Sequence, residues 1–171
     1  RFAEFGVDSI LARPEILVGC RFMRIGARVH IWHGARMEAL ETDRGAPELS
    51  IGSGTTIQPY VHIAATSSVS LGENCLLASW VYITDHDHDY SDPSECVAAG
   101  NRVITAPVAL GRGCWVGEKA IITKGVELGD YCIVGAGAVV TRSFPAYSIV
   151  AGSPARLIKW FDTAARQWKK V

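Results

Sequence analysis

Two histidines and three carboxylates alternate without interruption in the segment Asp85, His86, Asp87, His88, Asp89. Imidazole titrates near neutrality, and a neighbouring carboxylate can hold it in one tautomer and stabilise its protonated form. Such a group can take a proton from a weak nucleophile such as a hydroxyl. Two other readings stay open. Histidines two apart on an extended segment face the same side, so His86 and His88 could chelate a divalent ion with a third imidazole from His30, His33 or His62. The spacing of those three forms no evident ligand signature, and no metal is expected. The cluster could also be a solvated polar turn. Cys96, ten residues on from His86, is the nucleophile nearest a base, and no covalent role is expected for it.

The elements that must carry this cluster announce themselves by a period of six. From Leu110 an aliphatic residue recurs at Val116, Ile122, Leu128, Val134 and Val140, and glycine follows at Gly111, Gly117, Gly129 and Gly135. Four places beyond each aliphatic residue stand Cys114, Ala120, Val126, Cys132, Ala138 and Phe144, all small or apolar. Helices repeat every 3.6 residues and flat strands every two, so neither explains the pattern. A triangular coil of short strands and turns does. Three hexads would close one coil, and stacked coils would bury the aliphatic column while each strand pairs with the coil above or below. Glycine at the corner would relieve Cβ crowding.

The same frame is legible at Ile25, Ile31 and Met37, at Ile51, Ile57 and Ile63, and at Leu71, Leu77 and Ile83. Ile63 and Leu71 are eight apart, which predicts a two-residue bulge near Thr66; the polar stretch Glu41 to Glu48 predicts a loop. Cys75, Cys114 and Cys132 fall on the inward small position, as core fillers. The hexads stop between Thr84 and Pro107, so a loop over about 85–107 must leave the coil with the histidine cluster at its start. The tail from Asp162 to Lys170 has a spacing that permits a short helix over about 162–170, with Asp162 as its cap.

Composition bounds what the chain can serve. Its 171 residues are 49% hydrophobic and 20% charged, enough to bury one continuous core, and a single domain over 1–171 is expected. Seventeen basic and seventeen acidic side chains cancel. No global field draws the chain to nucleic acid or an anionic membrane. The longest run of apolar and glycine residues, Ile133 to Val140, is far below the ~18–20 residues of a membrane span. No signal peptide is visible at the start. Five cysteines with no Cys-x-x-Cys pair argue against a disulfide framework, and a reducing, cytoplasmic setting is expected.

The stretch GRGCWVGEKAIITKGVELGDYCIVGAGAVVTRSFPAYSIVAGSPARLIK, from Gly111 onward, combines CWVG, VGAGAVVT and AGSPAR segments at a specific spacing. It resembles the hexapeptide-repeat acyltransferases, and within them the sugar O-acetyltransferases typified by galactoside, maltose, O-antigen and capsule acetyltransferases. The match runs from about Leu49 to Lys159. The resemblance implies an all-β, left-handed parallel β-helix, a homotrimer with sites between subunits, acetyl-CoA as donor, and a carbohydrate acceptor in surface polysaccharide or glycan biosynthesis. It implies a histidine base at His86, with His88 the close alternative and Asp85 or Asp87 orienting it. It places Trp115 at the acetyl-CoA site, the pantetheine arm near Glu118, Ala136 and Thr141, and the phosphates at Arg156 and Lys159. Gln58 and Thr66 occupy places where galactoside enzymes carry acceptor-binding Asn and Asp, so a simple galactoside is not expected. Transfer would be direct, with a backbone N–H at a coil corner as oxyanion donor. The alternatives are an N-acetyltransferase acting on a nucleotide-linked amino sugar, and a non-catalytic or metal-binding β-helix.

Overall fold

The computed structural model describes residues 1–42, 45–97 and 102–171. The chain visits three parallel sheets in strict rotation. The first sheet stacks Glu4–Phe5, Met23–Ile25, Glu48–Ile51, Ser68–Leu71, Val108–Leu110 and Glu127–Leu128. The second stacks Ile10–Leu11, His30–Ile31, Thr56–Ile57, Leu76–Leu77, Trp115–Val116, Ile133–Val134 and Ser148–Ala151. The third stacks Ile16–Val18, Arg36–Ala39, His62–Ala65, Tyr82–Thr84, Ile121–Ile122 and Val139–Val140. One strand from each sheet makes a coil, so this is a parallel β-helix. The first coil precedes Ile25, earlier than the hexad frame was legible.

Register puts like on like. Ile51 pairs with Leu71, Leu71 with Leu110 and Leu110 with Leu128; Ile57, Leu77, Val116 and Val134 form the same column in the second sheet. These side chains are all buried in one continuous core. Burying one such aliphatic group contributes about 1.5–3 kcal/mol, and a two-residue strand suffices because its stability comes from the stack. Cys75, Cys114 and Cys132 are buried in the corner column, their thiols donating to the carbonyls of Gly111, Gly129 and Pro145 at 3.2, 3.3 and 3.1 Å. The corner glycines answer to the next coil. A Cβ on Gly117 would lie 2.6 Å from the Ala136 nitrogen, and one on Gly111 2.6 Å from that of Asp130.

Among the described residues the loop near 41–48 carries an antiparallel bridge between Thr42 and Gly45; Asp43 and Arg44 lie outside them. The hexads do stop after Thr84. His86–His88 pairs instead with Val103–Thr105 in an antiparallel hairpin of its own.

The expected helix over 162–170 is not formed. Arg156–Asp162 is a seven-residue strand laid antiparallel on Ser148–Ala151, and Gln167–Lys170 pairs antiparallel with it. Asp162 does cap, but a turn: its Oδ1 accepts from Ala164 and Ala165 N–H at 3.0 and 2.9 Å. A nine-residue helix with no partner is marginal in water, whereas the last coil offers an edge that Arg156–Asp162 takes, and the edge of that strand is in turn satisfied by Gln167–Lys170. Phe161 and Trp168 then meet edge to face, ring centroids 5.3 Å apart.

Candidate active site

The two-residue excess near Thr66 creates a site rather than a simple bulge. It lies where the chain passes from His62–Ala65 to Ser68–Leu71, and there three successive backbone N–H groups converge on one carboxylate. Asp85, on the next coil and wholly buried, accepts from Thr66 N–H at 2.9 and 3.1 Å, from Ser67 N–H at 2.7 Å and from Ser68 N–H at 2.7 Å, and the Thr66 hydroxyl donates at 3.1 Å. Burial alone would raise the Asp85 pKa, but the hydrogen bonds from His86, Thr66 and Ser67 outweigh it and hold the carboxyl below its usual range. Asp85 is a buried anion, and its charge is balanced by backbone dipoles rather than by a cation.

His86 completes this arrangement. Its Nδ1 lies 3.0 Å from Asp85 Oδ1 and 3.1 Å from Thr84 Oγ1. The Thr84 hydroxyl donates to the His86 carbonyl at 3.1 Å, so its lone proton is committed, and Nδ1–H is the hydrogen that satisfies the buried carboxylate. That tautomer leaves the Nε2 lone pair free to accept a proton. The imidazole keeps 14% of its side-chain surface exposed, and it borders a groove of about 670 Å³ together with Thr66, His88, Glu41 and Arg102.

The other members of the cluster divide by strand alternation. His88 shares the face of His86 and the same groove, and is more exposed. Asp87 points to the opposite face, where it is 2.6 Å from Lys124 Nζ on the following coil; that bond raises the Lys124 pKa, against a smaller desolvation effect. Asp87 therefore ties the hairpin down and does not touch His86. Reasoning from sequence missed Lys124, Ser67 and Ser68. The eight-residue spacing was the signal for Ser67 and Ser68, but a break in period does not say what fills it; Lys124 sits in a regular hexad and had no signal.

The residues expected at the donor and acceptor sites lie on different parts of the prism. Trp115 is exposed on the second sheet, and Glu118 and Ala136 follow one above the other at the corner leaving that sheet, where Gly137 N–H donates to the Glu118 carbonyl at 2.8 Å. Thr141 is exposed at the corner leaving the third sheet; Arg156 and Lys159 lie on the terminal hairpin. Thr66 is in the groove, while Gln58 stands at the second-sheet corner after Ile57 and is not brought to His86. Among the described residues no group of three or more His, Cys, Asp or Glu is placed to hold a metal ion, and His62 is engaged by Glu38 at 2.7 Å. None of the described helices is long and apolar enough to cross a membrane.

A parallel β-helix built on a six-residue repeat is the architecture of the hexapeptide-repeat transferases. Residues 107–142 match the family model "Bacterial transferase hexapeptide (six repeats)". Over 144 residues the chain is 34% identical to WbbJ of Escherichia coli (strain K12), named a lipopolysaccharide biosynthesis O-acetyl transferase, covering 81% of this chain and 71% of WbbJ. It is 31% identical to Rv3034c of Mycobacterium tuberculosis, named an acetyltransferase, over 97% of this chain and 53% of that longer protein. In structure it is similar to AntD, an N-acyltransferase from Bacillus cereus solved with dTDP and 3-hydroxybutyryl-CoA, with a TM-score of 0.79, 22% identity, and coverage of 96% of this chain and 86% of AntD. The chain belongs to the hexapeptide-repeat acetyltransferase family and is an enzyme, an acyltransferase.

Proposed function

We propose that the protein transfers an acetyl group from acetyl-CoA to a sugar hydroxyl, with His86 as general base. The observation that carries this is the Asp85–His86 pair, which presents a free Nε2 to the groove. A hydroxyl must lose its proton as it attacks the thioester carbonyl, and an imidazole fixed in the Nδ1–H tautomer takes it at Nε2. As His86 becomes cationic, Asp85 stabilises it without itself being protonated, because three N–H groups hold its charge. The thioester is already activated, so transfer is direct: the hydroxyl oxygen bonds to the acetyl carbon, the C–S bond breaks, and the proton leaves with the thiol. A corner N–H takes the developing oxyanion.

Trp115, Glu118, Ala136 and Thr141 line the path assigned to the pantetheine arm, and Arg156 and Lys159 take the phosphates. Thr66, its hydroxyl committed to Asp85, serves the acceptor site by holding that carboxylate. Gln58 can reach an acceptor only as part of a neighbouring subunit's site, which suits a homotrimer of left-handed coils with sites between subunits and the hairpin of His86–His88 with Val103–Thr105 on each. The relationship to WbbJ supports an acceptor in surface glycan biosynthesis, and a cytoplasmic setting is part of the same proposal. His86→Ala is expected to cut acetyl transfer by roughly 10²- to 10⁴-fold while acetyl-CoA still binds by calorimetry; retained turnover refutes the assignment, and loss only in His88→Ala moves it to His88.

The likeness to AntD favours a second reading, acylation of a sugar amine. Alkali separates the two, since an acetyl ester is released and an amide persists.

A further inference from the structure

The outer face of the third sheet holds a second concavity, of about 450 Å³, that the transfer mechanism does not use. Its wall is aromatic. Tyr60 and Trp80 occupy equivalent corners of successive coils, stack with ring centroids 4.5 Å apart and planes 17° from parallel, and are 40% and 54% exposed. The fold is shaped for this stack: both residues hold left-handed backbone (φ 62° and 64°), and the Tyr60 ring lies so close over Gly34 that a Cβ there would be 2.4 Å from it.

The floor is polar and planar. Arg36, His62 and Tyr82 are in register across neighbouring strands, and Glu38, one row along, accepts or shares a hydrogen bond with His62 at 2.7 Å and pairs with Arg36 at 3.5 Å. The Arg36 Nε is buried and makes no hydrogen bond, leaving the guanidinium under-used. Glu15 closes the rim.

We propose that this concavity is a binding subsite for a neutral oligosaccharide. Tyr60 lies between Gly34 and Trp80, so the aromatic face left for a ligand is that of the half-exposed Trp80; such a face attracts the polarised C–H bonds of a pyranose through its quadrupole, and planar carboxylate and guanidinium groups fix the orientation of vicinal hydroxyls. Arg36 is paired with Glu38 beside the cavity, and Glu15 is on its rim, so the cavity lacks the net positive charge that a nucleoside diphosphate requires. Tyr82 is four residues from His86 on the same run of chain, at most about 13 Å. An oligosaccharide of a few rings held here can therefore reach His86, and this link to catalysis rests on the transferase reading; the binding itself does not.

The test is binding of the intact protein to an array of immobilised neutral glycans, from monosaccharides to hexasaccharides, with UDP and dTDP measured by calorimetry. The comparison variant is Trp80→Asn, chosen because Asn tolerates left-handed backbone, with Glu38→Gln as a second and circular dichroism and light scattering as checks on both. Wild type should retain oligosaccharides over their parent monosaccharides, and both variants should weaken that retention about tenfold with acetyl-CoA affinity unchanged. The proposal is overturned if no oligosaccharide is preferred, if UDP or dTDP binds and competes at this cavity, or if Trp80→Asn breaks an oligomer and so shows the wall to be a subunit contact. Glycan binding that weakens in Trp80→Asn and Glu38→Gln, together with a His86→Ala protein that still transfers acetyl, would instead sink the transfer mechanism and leave this site standing.

Discussion

Two corners of the same prism follow opposite rules. Where the chain turns at Gly117, the hydrogen bonds between coils among the described residues run through backbone alone and the core residues on either side repeat faithfully every six. Where it turns at Thr66–Ser68, the period slips by two residues, and the freed N–H groups find a carboxylate from the next coil instead of a carbonyl. The regular corner builds stability and offers no chemistry. The irregular one spends backbone hydrogen bonds on a buried charge and thereby aims an imidazole. A solenoid can acquire a site at such a break because the flanking coils hold the chain in place.

The comparison predicts that a lesion in the regular region should lower stability without touching the rate per folded molecule. Ile122, fully buried, becomes a cavity in Ile122→Ala and should cost about 2–5 kcal/mol by chemical denaturation, with kcat preserved below the transition. A drop in kcat of the folded fraction would show that the two regions are coupled.

Asp85→Asn should hit both quantities at the irregular corner. Replacing a carboxylate that accepts from backbone and imidazole loses charge-assisted bonds worth about 1.5–3 kcal/mol each at most, and the amide no longer enforces the Nδ1–H tautomer, so kcat should fall by at least tenfold. pH supplies the sign. The Asp85 pKa is lowered on folding, so its contribution is present above the unfolded value of about 3.9 and is lost as pH falls through the folded value. Thermal melts from pH 6 downward should therefore show wild type losing stability more steeply than Asp85→Asn; parallel curves would mean that Asp85 is not held ionised.

The smallest effect should come from Lys124→Met. The pair with Asp87 is partly exposed, 24% and 41% by side chain, and such pairs are worth about 0.2–1 kcal/mol. Stability should barely move, while kcat falls a few-fold as the hairpin loosens, with the acetyl-CoA KM unchanged. Because Asp87 raises the Lys124 pKa, this contribution is complete below the unfolded lysine value and fades only as pH rises through the folded one.

Most of the architecture was legible because it is written in a local, repeated code. The aliphatic and small columns from Ile25 to Val140 specify which residues face inward, and burial of those side chains follows wherever the period holds. The break after Thr84 and the slip near Thr66 were visible for the same reason. The tail was not, since a nine-residue segment has no strong preference of its own and the free edge of Arg156–Asp162, itself laid on Ser148–Ala151, decided for strand. Which carboxylate holds His86 was likewise beyond the sequence, because Asp85 and Asp87 flank it equally along the chain. Strand alternation and the next coil separate them, sending Asp85 inward to Thr66–Ser68 and Asp87 outward to Lys124. The sequence by itself thus determined the coil, its core and the place of its interruption, since each depends on neighbours six residues apart; the tertiary structure alone decided the pairing of Asp85 with His86, since that depends on a corner about twenty residues away that only stacking brings within reach.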